Sequence, residues 1–244
     1  MDILAVMVLL IFVVAMGVAG RFARRISLRP LPAREALLQQ VSRAVESGGA
    51  LHVSMGTGGV GNTDTMSSLA GAYVLDRLAD QAAAANAPPL VTVSDPTLLP
   101  VAQDSLRRAY AGHGHREDYD PSQVLMLSPQ PMAYGAAAMG VAQDSATAGN
   151  VFVGSFGPEV VLLTEAAARK GVPQVAGAAE PQAQALIYPM ADCLLLGEEI
   201  FAASAYLDGA GGPPRLLAQD IMRAVVVAGI VVMAVLSLLG FVLT

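Results

Sequence analysis

The residues best placed for chemistry follow short apolar runs. Gly56, Gly58 and Gly61 form G-x-G-x-x-G inside Gly56-Thr57-Gly58-Gly59-Val60-Gly61, between an apolar run and a helical pattern. In that setting glycine permits a tight turn and lets backbone N–H groups at a helix start approach a phosphate. A nucleotide or dinucleotide is the cofactor such spacing suggests. Three features weigh against it. Asp64, near the helix start, would repel a phosphate. Asp95, in the place of the ribose-binding acid, lies 34 residues past Gly61 rather than about 20. Lys170 is the only lysine, so there is no P-loop. The competing reading is a Gly-rich turn with Thr63 or Asp64 capping the next helix.

Asp95 closes the run VTVSD, Ser155 sits in GSFG, and Glu159, Glu198 and Glu199 follow two further runs. Together Gly56, Gly58, Gly59, Gly61, Asp95, Ser155 and Glu198 make the candidate ligand-binding set. The carboxylates could serve as acid, base or metal ligand. Glu159, Glu198 and Glu199 also fall in predicted first helical turns, where the helix dipole favours a carboxylate, and that reading is preferred. Ser155 lacks a G-x-S-x-G elbow and a histidine to activate it. His52, in mid-run, reads as a hydrogen-bonded core residue. His113 and His115 lie on the polar stretch GHGHREDYD. Three His and one Cys, widely separated, give no zinc pattern. No catalytic or metal-binding residue is assigned, and the balance leans away from an enzyme.

These groups need a scaffold. Six apolar runs, Leu51–Met55, Leu90–Val93, Val124–Leu127, Val151–Val153, Gln174–Ala176 and Cys193–Leu196, predict strands. Helical patterns fall at Ala33–Ser47, Thr65–Ala85, Leu98–Ala111, Met132–Gln143, Glu159–Lys170, Pro181–Tyr188 and Glu199–Leu207. Alternation of this kind predicts an α/β fold: a doubly wound, mostly parallel, Rossmann-like sheet of about six strands. Continuous apolar strands such as VLML and CLLL fit a sheet covered on both faces. Ligands of such sheets bind beyond the strands' carboxyl ends, where the groups above fall.

The ends differ in kind. Of 244 residues, 54% are hydrophobic and 14% charged, against about 25% charged in an ordinary soluble domain. The excess apolarity is terminal. Residues 3–20 and 224–244 contain no charge, and about 20 apolar residues span a bilayer as a helix. Transmembrane helices are therefore expected at 1–20 and 224–244. The first reads as a retained anchor rather than a cleaved signal, because Met1-Asp2 is acidic and the basic residues come after it. A basic juxtamembrane linker at 21–34 carries Arg21, Arg24, Arg25, Arg29 and Arg34. A Gly/Pro linker and membrane approach at 208–223 carries Arg215 and Arg223. Arginines on the inner side of both spans place the domain at 35–207 in the cytoplasm and both termini outside, in a two-pass inner-membrane protein.

Between Glu35 and Pro214 there are 18 Asp and Glu against 7 Lys and Arg, a net charge of −11. Such a surface repels phosphate backbones, so nucleic acid is not an expected partner. The lone Cys193 suits a reducing compartment.

The blocks HVSMGTGGVGNTDT, VTVSDPTLLPVAQDSLRRAY, NVFVGSFGPEVVLLTEAAARKG and ADCLLLGEEIFAASAYL resemble an uncharacterised family of bacterial membrane proteins. In that family such a domain sits beside one or more transmembrane helices. The resemblance covers roughly residues 35–225. It implies no activity, cofactor or catalytic residue. The expected function is a membrane-anchored, non-enzymatic scaffold whose partners are the bilayer and copies of itself. The alternative is a tethered sensor of a nucleotide or small metabolite at the Gly-rich loop.

Overall fold

The computed structural model describes residues 31–85, 87 and 89–208, with a few helical residues in the flanking segments (13, 14, 17, 221, 223–227, 229 and 230). The chain divides into two compact units, residues 31–207 and the two terminal segments. Most of the spans expected at 1–20 and 224–244 lies outside the described residues, as does most of both linkers. Among the described residues no helix is long and apolar enough to cross a membrane.

Residues 31–207 alternate helix and strand. The order is α1 (Pro32–Ser47), β1 (Ala50–Gly56), α2 (Thr65–Ala84), β2 (Leu90–Val93), α3 (Leu98–Gly112), β3 (Val124–Met126), α4 (Pro131–Ala142), β4 (Thr147–Ser155), α5 (Val160–Lys170), β5 (Gln174–Ala178), α6 (Pro181–Ile187), β6 (Cys193–Leu196) and α7 (Glu199–Leu207). Two short 3-10 turns, Arg116–Asp118 and Pro121–Gln123, break the polar stretch before β3. The sheet order is β3-β2-β1-β4-β5-β6 and every pairing is parallel. The doubly wound expectation is met. β4 is longer than its apolar run, because Thr147–Asn150 add polar and small residues at its start.

Side-chain alternation along the strands divides the core. Leu51, Val53 and Met55 of β1 join Val91, Val93, Val151, Val153, Val175 and Leu195 under α1, α2, α3 and α7. Phe152, Ala176 and Ala178 face the other way, beneath Tyr134 and Ala138 of α4, Leu163 of α5 and Ile187 of α6. On that second face β1 presents His52 and Ser54, both buried, rather than apolar residues. This departs from strands that are apolar on both sides.

Small residues let the layers close. A Cβ on Gly71 of α2 would lie 2.3 Å from the Val153 carbonyl oxygen, so only glycine lets α2 pack this near β4. Gly140, on the outer side of α4, has open space around it. Overpacking costs roughly 1–3 kcal/mol. Gly71→Ala is therefore expected to lower the thermal midpoint of the full chain by several degrees, while Gly140→Ala leaves it unchanged or slightly raised. Circular dichroism melts of the two variants check this.

Candidate functional site

The strand order reverses between β1 and β4, the topological switch point where open α/β sheets bind ligands. Gly56 ends β1 beside Ser155 of β4, with a register irregularity between Ser54 and Gly56. Gly56 has φ +81°, and a Cβ there would sit 2.0 Å from the Ser155 carbonyl oxygen. That oxygen accepts from the Thr57 N–H at 2.8 Å. Gly154 makes the reciprocal approach: its Cβ would meet the Met55 carbonyl oxygen at 2.1 Å. Glycine is needed here so that two strands can meet at the foot of the loop.

The rest of the loop is packed by the chain itself. A Cβ on Gly58 would meet Ser155 Cβ and Ser68 Oγ, each at 2.5 Å. A Cβ on Gly59 would meet the Asp95 carboxyl carbon at 2.4 Å. Both glycines are buried. On the Cβ side of Gly58 and Gly59 the space is taken by Asp95, Ser155 and Ser68. Ser68, fully buried at the start of α2, has no hydrogen-bond partner for its hydroxyl.

Asp95 is held in turn. Its Oδ1 accepts from the Thr97 N–H at 2.8 Å and from the Thr97 hydroxyl, and Thr97 Oγ1 accepts from the Val60 N–H at 2.9 Å. This chain ties the Gly-rich loop to the end of β2. The capping expected of Thr63 or Asp64 falls elsewhere: Asp64 makes no side-chain cap bond. Thr65 Oγ1 instead accepts from the N–H groups of Gly61 and Asn62, and Asn62 Oδ1 accepts from the Asp64 N–H at 3.0 Å.

Glu159, 1% exposed, sits just before α5. Its Oε1 accepts from the Thr57 hydroxyl at 3.0 Å and the Gly157 N–H at 2.7 Å. The helix start behind it also favours its charge. Gly135 of α4 lets that helix approach, since its Cβ would lie 2.9 Å from Glu159 Cβ. Glu198 is not brought into this group. It follows β6, an edge strand two places from β4, hence about 10 Å from it. Glu199 Oε2 accepts from the Leu196 N–H at 3.2 Å, a local bond at the start of α7.

One polar array lies below the crevice, and the sequence revealed only its histidine. Asn150 Nδ2 donates to the Ala142 carbonyl at 3.0 Å, which leaves its Oδ1 to accept from His52 Nδ1 at 2.8 Å. His52 Nε2 is then the acceptor for the Thr92 hydroxyl at 2.9 Å. Tyr134 donates to the Thr92 carbonyl at 3.2 Å, with Thr92 Oγ1 also 3.1 Å away. Ser54 in turn donates to Tyr134 at 2.6 Å. Every donor in the series points the same way, from Ser54 to Ala142, and the array joins β1, β2, β4 and α4. Burial pushes the His52 imidazole down to about 4, against a weaker opposing effect of the Asn150 bond. Burial also pushes the Tyr134 phenol up to about 12. A neutral histidine is what both of its hydrogen bonds require. His113 and His115 lie apart from this array, beside Asp80 and Asp118. Among the described residues no group of three or more His, Cys, Asp or Glu is placed to hold a metal ion.

The model of a family described as a domain of unknown function, DUF6754, matches residues 1–244. The chain belongs to that family. No curated protein and no solved structure matches it. DUF6754 carries no assigned activity, so the chemistry of its member rests on the contacts above.

His52 ties this site to pH. Its folded value of about 4 lies below the ordinary 6.5, so the histidine contribution is complete above pH 6.5 and is lost as pH falls toward 4. The whole loss is about 3 kcal/mol. His52→Gln should remove this component. Urea midpoints of the full chain between pH 7.5 and 4.5 are expected to fall more steeply for the natural sequence than for the variant. Parallel slopes would refute the assignment.

Proposed function

We propose that the chain is a non-enzymatic, membrane-anchored scaffold that gathers copies of itself through its α/β domain. One observation carries this reading. The two carboxylates at the switch point are bonded within the chain, Asp95 to Thr97 and Glu159 to Thr57 and Gly157, and a Cβ on Gly58 or Gly59 would meet Ser155, Ser68 or Asp95. A catalytic crevice, besides bonds among its own groups, leaves a place about 3 Å from them where a reacting atom can sit. Here these bonds brace the loops.

The terminal segments supply the anchoring half of the proposal. Two uncharged stretches at 3–20 and 224–244, with seven arginines on their inner sides, fit two membrane passes of the inner membrane, a cytoplasmic domain and outward termini. Ala224 and Ala228 have the small-xxx-small spacing that lets helices pack closely in lipid. The full chain extracted in mild detergent is expected to run as a multimer in light scattering; a monomer would end the scaffold reading. Protease added to sealed cells is expected to spare the domain, and digestion of it while cytosolic markers survive would invert the topology.

A second reading, a tethered nucleotide or small-metabolite sensor, is favoured by one fact: the Gly-rich loop lies at the switch point. The filled glycine space and the nearby carboxylates Asp64, Asp95 and Glu159 oppose a phosphate there. A ligand at 100 times its dissociation constant stabilises a fold by about 2.7 kcal/mol. ATP and NAD at millimolar concentration are therefore expected to leave the melting midpoint unmoved, and a rise of several degrees would favour the sensor.

A further inference from the structure

The geometry points to a binding site for a small zwitterion, an α-amino acid with an aliphatic side chain, at the amino ends of β5 and β6. The site is independent of the scaffold reading and lies at the other end of the sheet from the Gly-rich loop. A cleft of ≈ 380 Å³ opens there between α1, the end of α5 and the loop before β6. That size falls within the range of ligand pockets, about 300–1,000 Å³. α1 contributes Gln40 and Arg43 to the lining, and the loop before β6 contributes Asp192.

The α1 side holds donors without acceptors. Gln40 is 4% exposed, yet among the described residues no hydrogen bond engages either end of its amide. Its Oε1 rests against Gly149, where a Cβ would meet it at 2.1 Å, so Nε2 is the end left to donate. A buried amide in this state is costly to the fold. Arg43, one turn further along α1, forms no ion pair among the described residues. It stays unpaired although 18 Asp and Glu stand against 7 Lys and Arg between Glu35 and Pro214.

The other side offers an acceptor held in place. Asp192 Oδ2 accepts from the Gln174 N–H at 2.8 Å, and the Asp192 N–H donates to the Gln174 carbonyl at 3.2 Å. Gln174 is fixed in turn, because its Nε2 donates to the carbonyls of Thr164 and Met190, each at 2.9 Å. Asp192 Oδ1 has no partner among the described residues. Burial pushes the Cys193 thiol up, so that group stays neutral. The lining thus carries one positive and one negative charge, which share a cleft without pairing.

This arrangement selects a ligand that carries both charges. A carboxylate suits Arg43 and Gln40 Nε2, and an ammonium suits Asp192 Oδ1, each through charge-assisted hydrogen bonds. Val172, Pro173 and Met190 give an aliphatic side chain apolar contact. A phosphate ester would meet one cation and one carboxylate, and a polyamine would meet Arg43. An occupied cleft would clamp α1, the first element of the domain, to the β5–β6 edge.

Isothermal titration of the full chain in mild detergent tests this with L-leucine as the probe. Isoamylamine and isocaproate serve beside it, since each keeps the side chain and lacks one of the two charges. Leucine is expected to bind saturably at one site per chain, and each analogue to bind at least about tenfold more weakly, the usual worth of a charge-assisted hydrogen bond. Arg43→Ala should bring leucine down to the affinity of the amine. Asp192→Asn, whose amide oxygen can still accept from Gln174, should bring it down to that of the acid. Arg116→Gln, on the 3-10 turn before β3, should leave binding unchanged. The proposal is overturned if leucine shows no saturable binding at millimolar concentration, if the analogues bind as well as leucine, or if neither cleft variant weakens it. The analogue comparison needs only the natural chain, so it decides the matter even where a variant misfolds. None of these results bears on the multimer, which light scattering reports separately.

Discussion

The structure turns on how closely β1 and β4 approach at their carboxyl ends. Each presents a glycine where a methyl group would sit about 2 Å from the other's carbonyl oxygen. This pairing is the centre of the sheet and the point where the strand order reverses. The Thr57 N–H bonded to Ser155, the buried carboxylate of Glu159 and the close seat of Gly71 on Val153 all require that spacing. A single side chain at Gly56 or Gly154 would push the strands apart and remove the floor of the loop.

Glycine in a G-x-G-x-x-G loop therefore has two physical uses that look alike in sequence. It can clear a path for a ligand, or it can clear a path for the protein's own atoms. The contacts around Gly58 and Gly59 belong to the second kind. Loop spacing alone does not separate the two, because the deciding atoms, in Ser68, Asp95 and Ser155, come from three other elements.

Much of the fold was legible. The boundaries of β2 and β6 coincide with runs of apolar and β-branched residues, which suit parallel strands covered on both faces. The start of β4 was not legible, since Thr147, Gly149 and Asn150 carry no apolar signal. Asn150 is there to orient His52, a reason visible only once the neighbouring strand is in place. The helix cap lies one step away from its sequence signal: Asp64 is a strong cap by type, but Asn62 and Thr65 hold the turn geometry. The order β3-β2-β1-β4-β5-β6 follows from pairing, which no local pattern encodes. His52 lies in the core, as its mid-run position predicts, while the array it joins spans four elements and leaves no trace in any one of them.

The two ends of the α/β unit are fastened together. Arg34 Nε, in the first turn of α1, donates to the carbonyl of Tyr206 near the end of α7 at 3.0 Å. Entry and exit of the polypeptide thus share one corner of the body. The same adjacency makes the unit suited to circular permutation: a short linker could join residue 207 to residue 31, with new termini opened in a distant loop such as 113–118.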